Sequence, residues 1–138
     1  MTIKTFHPNY TATKHEFYIQ SRGLHSGRPL KDPIPNCVVI SLKSEDEKKQ
    51  YFNLVQALFE TQKFSQYIFG SVIPLIRIGD VKKVIALGSE VIKLKQSEFE
   101  KTHKVVIAID LLIENSQEKI ETMKRLKLAH LNQFFNGE

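Results

Sequence analysis

Apolar and polar positions follow three successive patterns along the chain. The first is strand-like. Phe17 to Gln20 (FYIQ) is rich in aromatic and β-branched residues and is followed by a basic loop with two glycines, Gly23 and Gly27, a pattern that predicts a strand and its turn. Pro29, Pro33 and Pro35 then keep the chain extended or turning, because proline denies helix to itself and disfavours it just before. Cys37 to Leu42 (CVVISL) is a β-branched apolar run short enough for a buried strand.

The second pattern is mixed. Ser44 followed by Glu45, Asp46 and Glu47 marks a helix start, a capping hydroxyl with acids at the positive dipole end. Tyr51, Leu54, Val55, Leu58 and Phe59 recur at three- and four-residue steps, and Phe64, Tyr67 and Ile68 continue after Thr61 and Gln62, so one broken helix or two short ones reach Phe69. Gly70, Ser71 and Pro74 end it, and Pro74 to Ile78 is expected to be extended. Asp80 is expected to cap a turn at Val81 to Lys83, before a last strand across Val84–Leu87 or Val91–Leu94.

The third pattern is helical throughout. From Ser97 to Phe135 there is no proline or glycine, and Val105, Ile109, Leu112, Ser116, Ile120, Met123, Leu126 and Leu131 trace an apolar stripe. A helix of this length, near 60 Å at about 1.5 Å per residue, outruns any body that fewer than a hundred residues can build. Part of the stripe should therefore pair with another helix, and a second copy of the chain is the expected partner through Ile109, Leu112, Ser116, Ile120, Met123 and Leu126. Ser116 either sets the register of that pair or marks where the stripe meets water. A kinked pair of helices folded back on the body is the other way to cover the stripe. The expected fold class is α+β: a small mixed α/β body over residues 1–96, then one long C-terminal helix over 97–138.

Charge sharpens this division. Of the 138 residues, 20 are Lys or Arg and 15 Asp or Glu, a net charge of +5. Residues 1–96 hold 14 basic against 8 acidic side chains, whereas 97–138 hold 6 against 7. The basic excess belongs to the body, where it fits either a surface that meets phosphate or simple solubility. It also argues against an acidic DNA mimic. Arg22, His25, Arg28 and Lys31 lie within ten residues around the two glycines, which would let backbone and side chains both approach a phosphate. Arg77, between Ile76 and Ile78, and Lys82 with Lys83 would add a second contact. A solvated basic surface accounts for both groups as well.

Other chemistry is poorly supplied. Cys37 is the only cysteine, so an intramolecular disulfide and a Cys-based zinc site are excluded, and a buried, inert thiol is expected. The five histidines have no metal-ligand spacing, and no glycine-rich phosphate loop, GxSxG elbow or supported carboxylate pair occurs. The expectation is a protein without catalysis, cofactor or metal. No window is apolar enough for a membrane span, and the first residues, MTIKTFHPNY, lack a secretory signal's apolar core, so residence in the cytoplasm is expected.

Two segments together resemble one family. Tyr51 to Ile85 (YFNLVQALFETQKFSQYIFGSVIPLIRIGDVKKVI), with Gly70, Ser71, Pro74, Asp80, Lys82 and Lys83, is similar to the helix, G-[ST]-x-x-P turn and lysine-bearing segment that close a target recognition domain of type I restriction-modification specificity subunits. Ile107 to Phe135 (IAIDLLIENSQEKIETMKRLKLAHLNQFF) resembles the spacer helix of the same subunits. Upstream, FYIQSRGLHSGRPLKDPIPNCVVIS resembles the family's loop in which a strand delivers Ser, Arg and Gly before a Gly-Arg pair. The resemblance implies a non-catalytic binder of double-stranded DNA that leaves methyl transfer and cleavage to partner subunits. The 96 residues before the helix are fewer than such a domain usually has, and the family's proline-rich, Glu-Gln-bearing entry to the spacer is replaced by SEVIKLKQSEFEK. The chain would thus be at most half of a specificity subunit, with a homodimer restoring the pair of domains. A different class is also open: an interaction module whose helix docks on methyltransferase or nuclease subunits without touching DNA.

Overall fold

A computed structural model describes residues 1–137, which divide into two compact units, 1–94 and 95–137. In the first unit, a four-stranded antiparallel sheet of order β1-β4-β2-β3 is built from β1 (Thr2–Thr5), β2 (Glu16–Gln20), β3 (Pro29–Leu30) and β4 (Cys37–Ser41). The two predicted strands are its centre. They pair over Phe17↔Ile40, Tyr18↔Val39 and Ile19↔Val38. Both are buried on two faces, which is why they read as nearly continuous apolar runs and not as alternating ones.

Each face has its own cover. Alternation along the strands separates Phe17, Ile19, Val38 and Ile40 from Tyr18, Cys37 and Val39. Phe17 meets Phe52 of helix α1 (Glu45–Glu60) edge to face at 5.5 Å, so the first set lies beneath the helices. The second set packs with Phe6, Tyr10, Leu30 and Ile34. Edge strand β1 pairs with β4 from Thr2↔Ser41 to Thr5↔Val38. Glu16 is buried on the sheet, and its carboxylate accepts from the Tyr10 hydroxyl, from Thr13 N (3.0 Å) and Oγ1 (2.7 Å), and from Ser41 Oγ (2.7 Å). Burial pushes this carboxyl up, but the hydrogen bonds from Thr13, Tyr10 and Ser41 outweigh it and hold it below the ordinary glutamate value.

Helix α1 starts as its sequence requires. Ser44 Oγ accepts from Glu47 N at 3.2 Å, and the Glu47 carboxylate reaches back to Lys43 N at 2.9 Å. It ends at Glu60. The helical pattern read onward to Phe69 is instead a single 3₁₀ turn, Ser65–Tyr67, followed by β5 (Ile68–Phe69), because Gln62 turns the backbone into the left-handed region (φ 57°). β5 pairs with β6 (Leu75–Ile76).

The expected last strand across Val84–Leu87 or Val91–Leu94 is corrected by the structure. Ile78–Leu94 is one helix, α2, and Asp80 lies inside its first turn. Val81, Val84, Ile85, Gly88 and Ile92 are its buried residues, a single face at helical spacing whose burial overrides the strand preference of Val and Ile. Gly88 lets α1 come close: a Cβ there would stand 2.9 Å from Cδ1 of both Leu54 and Leu58.

The second unit is helix α3 (Gln96–Asn136), 41 residues and about 60 Å long at ~1.5 Å per residue. Gly137 follows it in the left-handed conformation of a C-terminal cap. The architecture is α+β. Among the described residues no helix is long and apolar enough to cross a membrane.

Candidate nucleic-acid interface

The loop between β2 and β3 carries Arg22, His25 and Arg28, all exposed. It is a closed, bonded turn. Gln20 N donates to Arg28 O (2.9 Å), Gly27 N to Gln20 O (2.8 Å) and Ser26 N to Gly23 O (3.1 Å). Gly23 and Gly27 have φ of 99° and 96°, values that a side chain tolerates poorly. Gly27 is also packed from below, since a Cβ there would lie 2.8 to 2.9 Å from Cγ, Cβ and Cδ2 of the buried Phe64.

The structure joins this loop to the second basic group. Arg22 forms an antiparallel bridge with Leu75, Ile76 N donates to Ser21 O (2.9 Å) and Gly23 N to Pro74 O (2.7 Å). The buried Ser26 hydroxyl reaches the carbonyls of Gly23 (2.7 Å) and Pro74 (3.3 Å). Arg77, two residues beyond the bridge, is exposed, with its guanidinium 4.7 Å from the centroid of the Phe69 ring. Lys82 and Lys83 follow on the exposed side of α2, where Lys83 Nζ pairs with Asp80 at 3.6 Å.

Lys31 is placed differently. It lines a pocket with Glu45, Lys48 and Lys49 of α1, beside Phe17 and Phe52, where Glu45 is itself paired with His15 (3.2 Å) and Lys48 (3.5 Å). The ten-residue cluster of the sequence is thus split by β3: Arg22, His25 and Arg28 lie on the loop bridged to the segment that leads into Arg77, and Lys31 lines the pocket at the helix.

Several residues of this surface carry no mark of it in the sequence pattern. Residues 17–31 and 61–79 contain no Asp or Glu, so the two joined hairpins form a surface without acidic side chains of their own. Lys63 belongs to it, next to Phe64 beneath Gly27. So do Leu24, Val72 and Ile73, exposed by 87%, 90% and 55% at the two loop tips. The absence of acids was visible in the chain; the juxtaposition of the two segments was not.

On α3, Ile109, Leu112, Ile120, Met123 and Leu126 are each about half exposed or more, and Ser116 is exposed with its hydroxyl donating to Leu112 O at 2.7 Å. That bond satisfies Ser116 within its own helix. Ile107, Leu111, Ile113 and Leu128 are exposed as well, which widens the apolar surface beyond the predicted stripe. No group of three or more His, Cys, Asp or Glu is arranged to hold a metal ion among the described residues.

The profile of one protein family matches residues 3–133, across both units. The chain belongs to DUF6943. That family is described as one of unknown function. No curated protein and no solved structure matches this DUF6943 chain.

Proposed function

We propose that this DUF6943 protein is a non-catalytic, cytoplasmic binder of double-stranded DNA that pairs with a second copy through α3, in the manner of half a type I specificity subunit. The observation that supports this reading is the joining of two acid-free hairpins by the Arg22–Leu75 bridge, which puts the exposed Arg22, Arg28 and Arg77 on bonded neighbouring segments. Cations carried on a bonded loop meet phosphates with less backbone ordering than cations on a free segment would need.

The test is a fluorescence-anisotropy titration of random duplex DNA at two salt concentrations, with the mass of the free protein followed by light scattering. With three phosphates neutralised, affinity should fall about 40-fold between ~50 and ~200 mM salt. Arg22→Glu with Arg28→Glu should abolish most of that binding. A flat salt dependence removes the electrostatic basis of the proposal.

The half-exposed aliphatic surface of α3 favours a second reading, in which the helix docks on methyltransferase or nuclease subunits and DNA is not touched. Under it, the charge reversals leave function intact.

A further inference from the structure

Leu24 and Val72 are among the most exposed large apolar side chains of the described residues, and both sit at loop tips that are bonded together. The geometry explains how they meet. In the antiparallel pairing, Arg22 faces Leu75 and Gly23 N donates to Pro74 O, so the next residue outward on one loop is Leu24 and on the other Ile73, followed by Val72. The tips point the same way. Leu24 is a central residue of the Gly23–Ser26 turn, and Gly70, with φ 92° and the Ile73 carbonyl 2.6 Å from where its Cβ would be, closes the second tip tightly.

Such exposure costs free energy in water unless a partner covers it. The surrounding charge states what the partner carries. Arg22 stands at the bridge and the exposed His25 beside Leu24 in the turn, Arg28 and Arg77 lie toward the base of the two hairpins, and neither hairpin contributes an acid. A partner that presents anions around an apolar interior is duplex DNA, whose phosphates border a stack of bases. Side chains such as Leu and Ile can enter that stack from a groove, unstacking one step and kinking the helix, while adjacent arginines hold the backbone.

We propose that Leu24, with Val72 and Ile73, forms an apolar wedge that inserts at a deformable base step when the protein binds duplex DNA; the inference rests on the DNA-binding reading above. Its specificity is for deformability: pyrimidine–purine steps, mismatches and bulges, where unstacking is already cheap, are preferred over stiff, fully paired tracts.

The test compares a matched duplex with the same duplex carrying a central mismatch, end-labelled for energy transfer, using the wild-type chain and Leu24→Ser/Val72→Ser. Both positions are so exposed that the substitutions should leave the fold intact, as circular dichroism will verify. The wild type should bind the mismatched duplex about tenfold more tightly and shorten its end-to-end distance. The double variant should lose that preference and the bend, yet keep salt-sensitive binding to the matched duplex. Equal preference in variant and wild type overturns the wedge and leaves DNA binding standing. Absence of salt-sensitive DNA binding by the wild type overturns the underlying reading and the wedge with it. Sedimentation with phosphatidylserine vesicles, lost in the variant and without any mismatch preference on DNA, would reassign the tips to a lipid surface and likewise refute the wedge.

Discussion

Replacing Gly27 by alanine tests whether the basic loop is held by the core or merely attached to it. Two costs arise. At φ 96° a residue with a Cβ is strained, by about 1–2 kcal/mol on the scale of left-handed backbone. The new methyl would also lie 2.8 to 2.9 Å from three atoms of Phe64, one of them that residue's own Cβ, which cannot swing aside without moving backbone. Phe64 is buried, so relief must come from the loop or the core, at about 1–3 kcal/mol for overpacking. Together Gly27→Ala should destabilise the first unit by about 2–5 kcal/mol, which lowers a urea midpoint by at least ~1 M. Near-UV circular dichroism follows the packed aromatics of that unit. Gly79→Ala serves as the control: nothing lies within 4 Å of its Cβ, and a gain of about 0.4–1 kcal/mol is expected from the loss of unfolded-chain freedom. A Gly27→Ala loss below about 1 kcal/mol would mean that the loop is not wedged against Phe64, and its claim to be pre-ordered would go with it.

Three further outcomes follow from other parts of the fold. Glu16→Gln should cost about 1–3 kcal/mol at pH 7, because an amide cannot accept all the bonds that converge on the carboxylate. Since the native carboxyl titrates below its unfolded value, its contribution is complete above the ordinary glutamate pKa of about 4.3 and fades as pH falls through the lowered one, so urea midpoints of variant and wild type should converge at low pH; a gap that stays constant refutes the linkage. Ser44→Ala should remove about 1 kcal/mol by orphaning Glu47 N, measured by thermal unfolding, and an unchanged transition would show that the cap is dispensable. Ile120→Asp with Met123→Asp should reduce the mass seen by light scattering to that of one chain, and a wild type already monomeric at high concentration would rule out self-pairing through α3.

The elements that could be read from the chain were those whose burial matches a local period. β2 and β4 announced themselves because both faces are covered, and α1 because its cap and its apolar spacing agree. β1 was not visible: Thr-Ile-Lys-Thr has a single apolar residue, and only its pairing with β4 makes it a strand. In α2 the β-branched residues suggest a strand by composition, but Val81, Val84, Ile85, Gly88 and Ile92 carry the helical period, and burial of that face decides the element. For the site, the cations were legible and their grouping was not. Arg22 and Arg77 are 55 positions apart, and a backbone bridge, which leaves no trace in side-chain pattern, brings them together while β3 sends Lys31 elsewhere.

Cys37 is fully buried in the sheet's second face, clustered with Tyr18 and Val39, and burial pushes its thiol up, away from the reactive thiolate. The chain has no other sulfhydryl. A cysteine introduced at an exposed position is therefore the sole site that a maleimide probe will find in the folded protein. One dye at position 24 would report on bases stacking against the loop tip, and one spin label at position 123 would measure the distance to its counterpart in a second copy. The inert native thiol makes the protein its own labelling scaffold, with no background cysteine to remove first.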